Sequence, residues 1–388
     1  MSLKSLISKK SYFMEHMVQW MDHIDNPIII SKEIYSDLKK ANSDFMKLNR
    51  YIYENHFLNL LEYLNIKNKK LHDSIIAFYE NTSFEDSNFI NRWDYFLCKD
   101  WIKIAEINND TPWWYIETCF LNWILWKDLV DPNNKFIKNF SESLKSYWVK
   151  NLYIVWSLAE VEDYKLMTFV KNIAKESWIN ASVWYFDSLD IKEDWFYLWS
   201  YRIDAIFKYY PIDQIYDSYE MTEIEKFAKA WSLKLLNNPL SYVFQLKSYY
   251  SFLWENIEIF PKNMQNIINN YIPLSIRLDN SLIKENLEKI IQEKKDWVLK
   301  DTNNREWNNI FIGSRTTDTI WSKYLNDYLW NQYWILQKKF EAIPIAWFQV
   351  NFWIYNIKNK YSGIFVRMTE IWNKVDIRSF ATPIWIKG

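Results

Sequence analysis

The stretch that most constrains this chain is Asn91 to Asn122, NRWDYFLCKDWIKIAEINNDTPWWYIETCFLN. Arg92 to Cys98 alternates polar and apolar side chains, and so does Ile102 to Asn108. That is the period of a half-buried strand. Lys99-Asp100-Trp101 between them reads as a three-residue hairpin turn. With that turn, Asp94 faces Glu106 and Arg92 faces Asn108. All four share one side of the ribbon, because residues two apart along a strand share a face. Two carboxylates and an amide oxygen converging beside an arginine suit a hard cation. Oxygen-only ligands fit Mg2+, which usually shares its shell with phosphate oxygens. The polar turn that follows, NNDTP, opens the site onto a loop able to hold a substrate.

Trp101 stands at a turn position that wants φ > 0, where glycine is usual. The whole chain repeats the pattern: it holds 24 Trp and 3 Gly in 388 residues. Together these approximate the glycine content that a usage of ~7% would give such a chain. Trp recurs at turn and cap positions, in KDWIK, KESWIN, EDWFYLW and EIWNK. Trp178 follows a helical run where a left-handed cap residue belongs. Most of these tryptophans are therefore expected to stand for glycine. Some bacterial lineages read UGA as glycine, and a translation rendering UGA as Trp produces this pattern.

The length allows two or three lobes around a sizeable core. A net charge of -1 gives no global case for nucleic acid or an acidic membrane surface. Two cysteines, Cys98 and Cys119, are too few for a disulfide framework and point to a reducing cytoplasm. No apolar run reaches the ~18 residues of a membrane span. The four histidines, all between His16 and His72, lack partners at zinc-ligand spacing.

Along the chain, 31–80 reads as helices that form a cover, with Ile34, Leu38, Phe45, Leu48 and Ile52 at helical spacing. Asp131 to Asn134 is a break. Residues 151–157, 161–177 and 179–186 form a β-α-β unit of a small parallel sheet. Its first turn lacks GxGxxG and is not a dinucleotide site. Lys208 lies just beyond Asp204 on a further strand. Residues 222–295 are mostly helical. The last part is strand-rich: Trp297 to Lys300, a polar loop DTNNREWNN, a returning strand, Ile335 to Lys338, Ala346 to Ile354 and Ser362 to Glu370. With glycine at position 307, the loop after Lys300 can fold over a triphosphate through backbone N–H groups and cations.

Together these residues resemble glutathionylspermidine synthase and its relatives, from about residue 30 to the end. The family's metal segment is matched by Arg92, Asp94, Glu106, Asn108, Asp110-Thr111-Pro112 and Glu117. Its ATP lysine and loop are matched by Lys300 and Arg305-Glu306-Trp307, its hinge glutamine by Gln337, and the arginine of its Gly-Ile-x-x-Arg strand by Arg367. Lys247 resembles an earlier phosphate-contacting lysine. Proline, usual after the ATP lysine in the family, is replaced here by Asp301.

The resemblance implies an α+β chain with a circularly permuted ATP-grasp fold, a small α/β pre-ATP-grasp domain and a helical N-terminal cover. The implied division is a helical segment 1–80, a metal-hairpin part 81–145, the α/β domain 146–235 and the remaining ATP-grasp lobes 236–388. It further implies a cytoplasmic ATP- and Mg2+-dependent ligase that joins a small-molecule or peptide carboxylate to an amine, polyamines among the candidates, with no nucleic-acid or membrane partner. Asp94, Glu106 and Asn108 would hold the metal. Lys247, Lys300, Gln337, Lys338 and Arg367 would bind ATP. Arg92 and Arg305 would be catalytic, and Thr111, Glu117 and Lys208 would face the substrates. A nucleotide-binding pseudoenzyme of the same fold and a purely structural protein are the rival readings.

Overall fold

Strand β1 (Ile28–Ile30) leads into helix α1 (Lys32–Asn55). Ser31 caps that helix, its Oγ accepting from Ile34 N at 3.2 Å. A carboxylate in the first turn, Glu33, complements the helix dipole. Leu38, Ala41, Phe45, Leu48 and Ile52 form its buried stripe. Helix α2 (Phe57–Leu64) ends on Asn65 in the left-handed conformation. Helix α3 (Lys69–Tyr79) is capped by Asn68, whose Oδ1 accepts from Leu71 N at 3.2 Å. The expected helical cover is thus present within 32–79. The structure is a computed structural model that describes residues 27–112, 115–120, 129–156, 161–185, 188, 190–193, 195–198, 200–229, 233–303, 309–370, 380–382 and 384–387.

Strands β2 (Ile90–Cys98) and β3 (Trp101–Asn108) form the expected hairpin. Helix α4 (Tyr115–Phe120), β4 (Leu129–Val130) and α5 (Phe136–Ser146) follow. Next come β5 (Asn151–Trp156), α6 (Val161–Glu176) and β6 (Asn180–Tyr185). Three short strands, β7 (Asp190–Ile191), β8 (Phe196–Leu198) and β9 (Tyr201–Arg202), precede β10 (Ala205–Tyr209) and β11 (Lys234–Leu236). The order β11-β10-β5-β6 makes a parallel sheet, so the β-α-β reading holds. Lys208 lies within β10, and Asp204 immediately before it.

Helices α7 (Leu240–Gln245), α8 (Ser248–Glu255) and α9 (Lys262–Tyr271) lead to β12 (Ser275–Arg277), β13 (Trp297–Asp301), β14 (Ile310–Ile312) and β15 (Trp334–Lys338). These four strands form an antiparallel sheet in the order β12-β15-β13-β14. Finally β16 (Phe348–Ile357), β17 (Lys360–Glu370) and β18 (Phe380–Thr382) join the hairpin in a sheet ordered β18-β17-β16-β2-β3. A last strand, β19 (Ile384–Lys387), pairs with β1 and β4. The chain is therefore mixed α/β, with several separate sheets.

The hairpin differs from expectation in its turn. Cys98 pairs with Trp101, so only Lys99 and Asp100 form the tip. A bulge then shifts the register between Asp94 and Tyr95, and beyond it Asp94 faces Glu106 and Arg92 faces Asn108 as expected. The reason is the apolar phase of β3. Ile102, Ile104 and Ile107 are all buried in one core. Strict alternation cannot put both Ile104 and Ile107 inside, and one extra residue at a bulge can.

That core lies on one face of the five-stranded sheet. Trp93, Tyr95, Ile104, Phe352, Ile354 and Val366 pack there with Phe45 and Leu48 of α1. Phe45 and Trp93 meet edge to face at 4.8 Å. Each large side chain so buried contributes roughly 1.5–3 kcal/mol. The opposite face carries the polar residues of the hairpin and continues through Trp353, Tyr355 and Phe365 into a second core shared with α5 and the parallel sheet.

Among the described residues, four tryptophans have positive φ: Trp101, Trp148, Trp178 and Trp330. At the end of α6, Trp178 N donates to Lys175 O and Ile179 N to Ala174 O, both at 3.0 Å. With φ of 64° at Trp178, this is the Schellman arrangement, whose central residue is usually glycine. Trp178 is 93% exposed and Trp148 90%.

Candidate active site

Register alone brings the polar residues of the sheet together. Asp94 pairs with Glu106 on one side and Trp353 on the other, and Asn351 pairs with Arg367. Paired residues share a face, so Arg92, Asp94, Glu106, Asn108, Asn351 and Arg367 lie on the same side. Arg92 Nε donates to Asp94 Oδ1 at 2.9 Å. Asn108 Nδ2 lies 3.5 Å from the same oxygen, and Asn351 Nδ2 donates to Asp94 Oδ2 at 3.3 Å.

Burial pushes the Asp94 carboxyl up to about 6; Arg92 opposes this and nearby Glu106 adds to it. Burial would lower the Arg92 guanidinium, yet Asp94 holds it above its ordinary value. Arg367 is pushed down to about 10, first by burial and then by Arg92. Both guanidiniums lie over the ring of Trp353, Arg92 at 3.7 Å and Arg367 at 4.9 Å.

The two lysines reach this face from other elements. Lys247 stands between α7 and α8. Its backbone N donates to Thr302 O at 3.2 Å and its Nζ lies 3.6 Å from Glu106 Oε1. Lys300 is on β13, and its Nζ donates to Gln337 Oε1 at 2.6 Å. Gln337 Nε2 in turn donates to Ser275 Oγ at 2.9 Å. Burial pushes Lys300 down to about 8, with Lys247 adding and Glu106 opposing. With its charged form so weakened, Lys300 answers strongly to an incoming anion, which stabilises that form.

Asp94 and Glu106 are anionic donors, Asn108 is an amide beside them, and Asn351 Oδ1 is buried without a hydrogen-bond partner among the described residues. Among the described residues, no group of three or more His, Cys, Asp or Glu could hold a metal by itself. Two carboxylates with amide oxygens fit a hard cation that completes its shell with phosphate oxygens, the Mg2+ pattern.

Other expected residues sit differently. The side chain of Lys208 is fully buried and ion-paired to Asp110, so it has no open face for a substrate. Asp110 also accepts from Ile212 N at 2.8 Å and Ser241 Oγ at 3.4 Å. The Gln337 side chain is spent on Lys300 and Ser275, which makes it a buttress of the lysine rather than a frame for a base. Lys338 Nζ donates to Asp296 at 3.1 Å and lies over the Trp297 ring at 4.7 Å. Thr111 is half-buried in the turn after the hairpin, and Glu117 belongs to α4. Arg305, Glu306 and Trp307 lie outside the described residues. Asn351 escaped sequence reasoning. Its one signal is a polar residue in phase with Trp353 and Tyr355 on an apolar strand.

A sheet face that joins two carboxylates, two arginines and two lysines has the charges to take a cation together with a polyanion. The chain belongs to the glutathionylspermidine synthase pre-ATP-grasp family, whose profile matches residues 7–376. No curated protein sequence matches it. Among solved structures it is similar to a protein assigned as a gamma-glutamylcysteine synthetase from Methylobacillus flagellatus KT. The identity is 11%, with 88% of this chain and 86% of that chain covered and a TM-score of 0.48. It is also similar to the D-cycloserine synthetase DcsG, at 13% identity, 48% and 58% coverage and a TM-score of 0.30. No helix among the described residues is long and apolar enough to cross a membrane.

Proposed function

We propose that this chain is an ATP-dependent carboxylate–amine ligase that forms an amide bond through an acyl phosphate and releases ADP and phosphate. Membership of the family supports the ligase class. The observation that carries the mechanism is the meeting of Lys247 with Glu106, because it joins the cation face to the lysine pair. In this reading the fold is a circularly permuted ATP-grasp, with 81–145 and 236–388 contributing to the ligase lobes and 146–235 the pre-ATP-grasp unit. Pairing of β2 with β16 supports it, since strands from distant parts of the chain complete one sheet.

Asp94, Glu106 and Asn108 hold Mg2+, which supplies charge neutralisation at the phosphates. Lys247, Lys300 and Arg367 bind the triphosphate. A carboxylate of the first substrate attacks the γ-phosphorus, and the bond to the β-phosphate oxygen breaks. Arg92 balances charge on the acyl phosphate and on the tetrahedral adduct formed when the amine attacks. Arg305 takes its catalytic assignment from its match to the family's loop, and Lys338, at the end of β15, is assigned to frame the base. Thr111 and Glu117 are assigned to the substrates by their match to the family's segment, whereas Lys208 holds Asp110 in place. Such transfer is mostly positioning and electrostatic stabilisation, which this residue set can supply without a nucleophile of its own.

The test is phosphate release from ATP and Mg2+ with panels of peptide carboxylates, glutathione among them, and amines, including polyamines. Release that requires both an acid and an amine, with an amide product by mass spectrometry, supports the reading. ATP binding with no acid- and amine-dependent release across the panels overturns it in favour of a nucleotide-binding pseudoenzyme.

A further inference from the structure

The open end of the β2–β3 hairpin is gripped by one buried side chain from another sheet. Asn237 follows β11 of the parallel sheet and is 2% exposed. Its Oδ1 accepts from Phe89 N at 2.6 Å and Ile90 N at 3.0 Å, where β2 begins. Its Nδ2 donates to Ile90 O at 2.8 Å and reaches across to Asn109 O at 2.5 Å and Asp110 O at 3.3 Å, where β3 ends. A single amide therefore spans both strands, two residues before Arg92 and one after Asn108.

An amide that uses both its donor and acceptor sides on two backbones fixes their separation more tightly than a lone hydrogen bond. Asp94 and Glu106 face one another on these same strands, so their spacing follows from the spacing at the base. We infer that Asn237 is the positioning residue of the cation site. It touches neither the cation nor the phosphates. It holds the two carboxylates at the separation a small, geometrically demanding ion requires. This inference rests on the reading of Asp94 and Glu106 as cation ligands.

The test is Mn2+ binding to the full chain, read from the free-Mn2+ electron paramagnetic resonance signal with a non-hydrolysable ATP analogue present. Asn237→Ala is compared with Asn238→Ala. Asn238 is its buried neighbour, with Nδ2 donating to Asp86 O at 3.1 Å and Oδ1 accepting from Leu240 N at 3.0 Å, so both sides of its amide are engaged away from the hairpin. Asn237→Ala is expected to weaken Mn2+ binding about 10–100-fold, the usual effect of losing an outer partner of a metal ligand. Analogue binding without metal should stay near wild type, and Asn238→Ala should leave Mn2+ affinity unchanged whatever it does to the melting temperature. Asn237→Ser keeps one hydrogen-bonding group but cannot span both strands, and it carries the test if the alanine variant does not fold. Wild-type Mn2+ affinity in the folded Asn237 variant, or equal losses in both variants, overturns the inference alone. A wild-type chain that binds no Mn2+ overturns the cation reading itself, and this inference with it.

Discussion

At the scale of single residues, the face combines a carboxyl held up near 6 with a lysine held down near 8. Lys300 is lowered from an ordinary value of 10.5, so the fold favours its neutral form. Its contribution to stability is complete above pH 10.5 and is lost as pH falls through about 8. A bound triphosphate has the opposite preference. Affinity for an ATP analogue should therefore fall as pH rises through about 8, and Lys300→Arg should flatten that dependence. Isothermal titration calorimetry at several pH values checks this, and a profile unchanged by the substitution would count against Lys300 as a phosphate contact. Glu106→Gln removes one anionic donor and keeps the side chain's size. Because outer partners of ligands already cost about 10–100-fold, Mg2+-dependent phosphate release should drop at least that much. Its melting temperature should stay close to wild type, and wild-type release from a folded variant would sink the assignment.

At the scale of elements, the hairpin was legible because its information is local. Alternation gave the strands, and spacing gave the facing of Asp94 with Glu106 and of Arg92 with Asn108. The bulge is missed: the switch of apolar phase from Ile104 to Ile107 reads as alternation, and the three-residue turn gives the right facing by another route. What local pattern could not supply are partners far apart in sequence. Asn237 lies 148 residues from Phe89, and Lys208 lies 98 from Asp110. Neither pair leaves a periodic trace. The Lys208–Asp110 pair joins the parallel sheet to the base of the hairpin, and both side chains are buried. Lys208→Met should cost roughly 3–5 kcal/mol, because it leaves an uncompensated buried carboxylate. Adding Asp110→Asn should recover part of that loss in denaturant unfolding. Equal stability of wild type and the single variant would show the joint to be energetically idle.

At the scale of the whole molecule, the tryptophans divide in two. Trp101, Trp148, Trp178 and Trp330 occupy the left-handed region, where a bulky residue costs of order 1–3 kcal/mol. Trp93, by contrast, is buried in the main core, and its Nε1 donates to Asn109 Oδ1 at 3.1 Å. The gene should therefore carry UGA at the first four positions and at most other Trp positions, and UGG at Trp93. Reading the DNA decides it, and UGG at the four positive-φ positions refutes recoding. At these four positions alone the strain sums to roughly 4–12 kcal/mol, comparable to the ~5–15 kcal/mol that holds a typical domain together. Expression with glycine restored should accordingly give soluble protein where the literal Trp version aggregates.

Residue 353 shows what a codon decides. Its indole fills the space beside Asp94 and lies beneath both Arg92 and Arg367. Aromatic side chains of this kind cover about 150–250 Å2. If the codon there is UGA, that surface belongs to no side chain, and two guanidiniums and a carboxylate look onto an empty recess. Its floor would be bare backbone of β16, against which a planar carboxylate could lie flat. Read as tryptophan, the same position fills that recess and closes it to such a carboxylate.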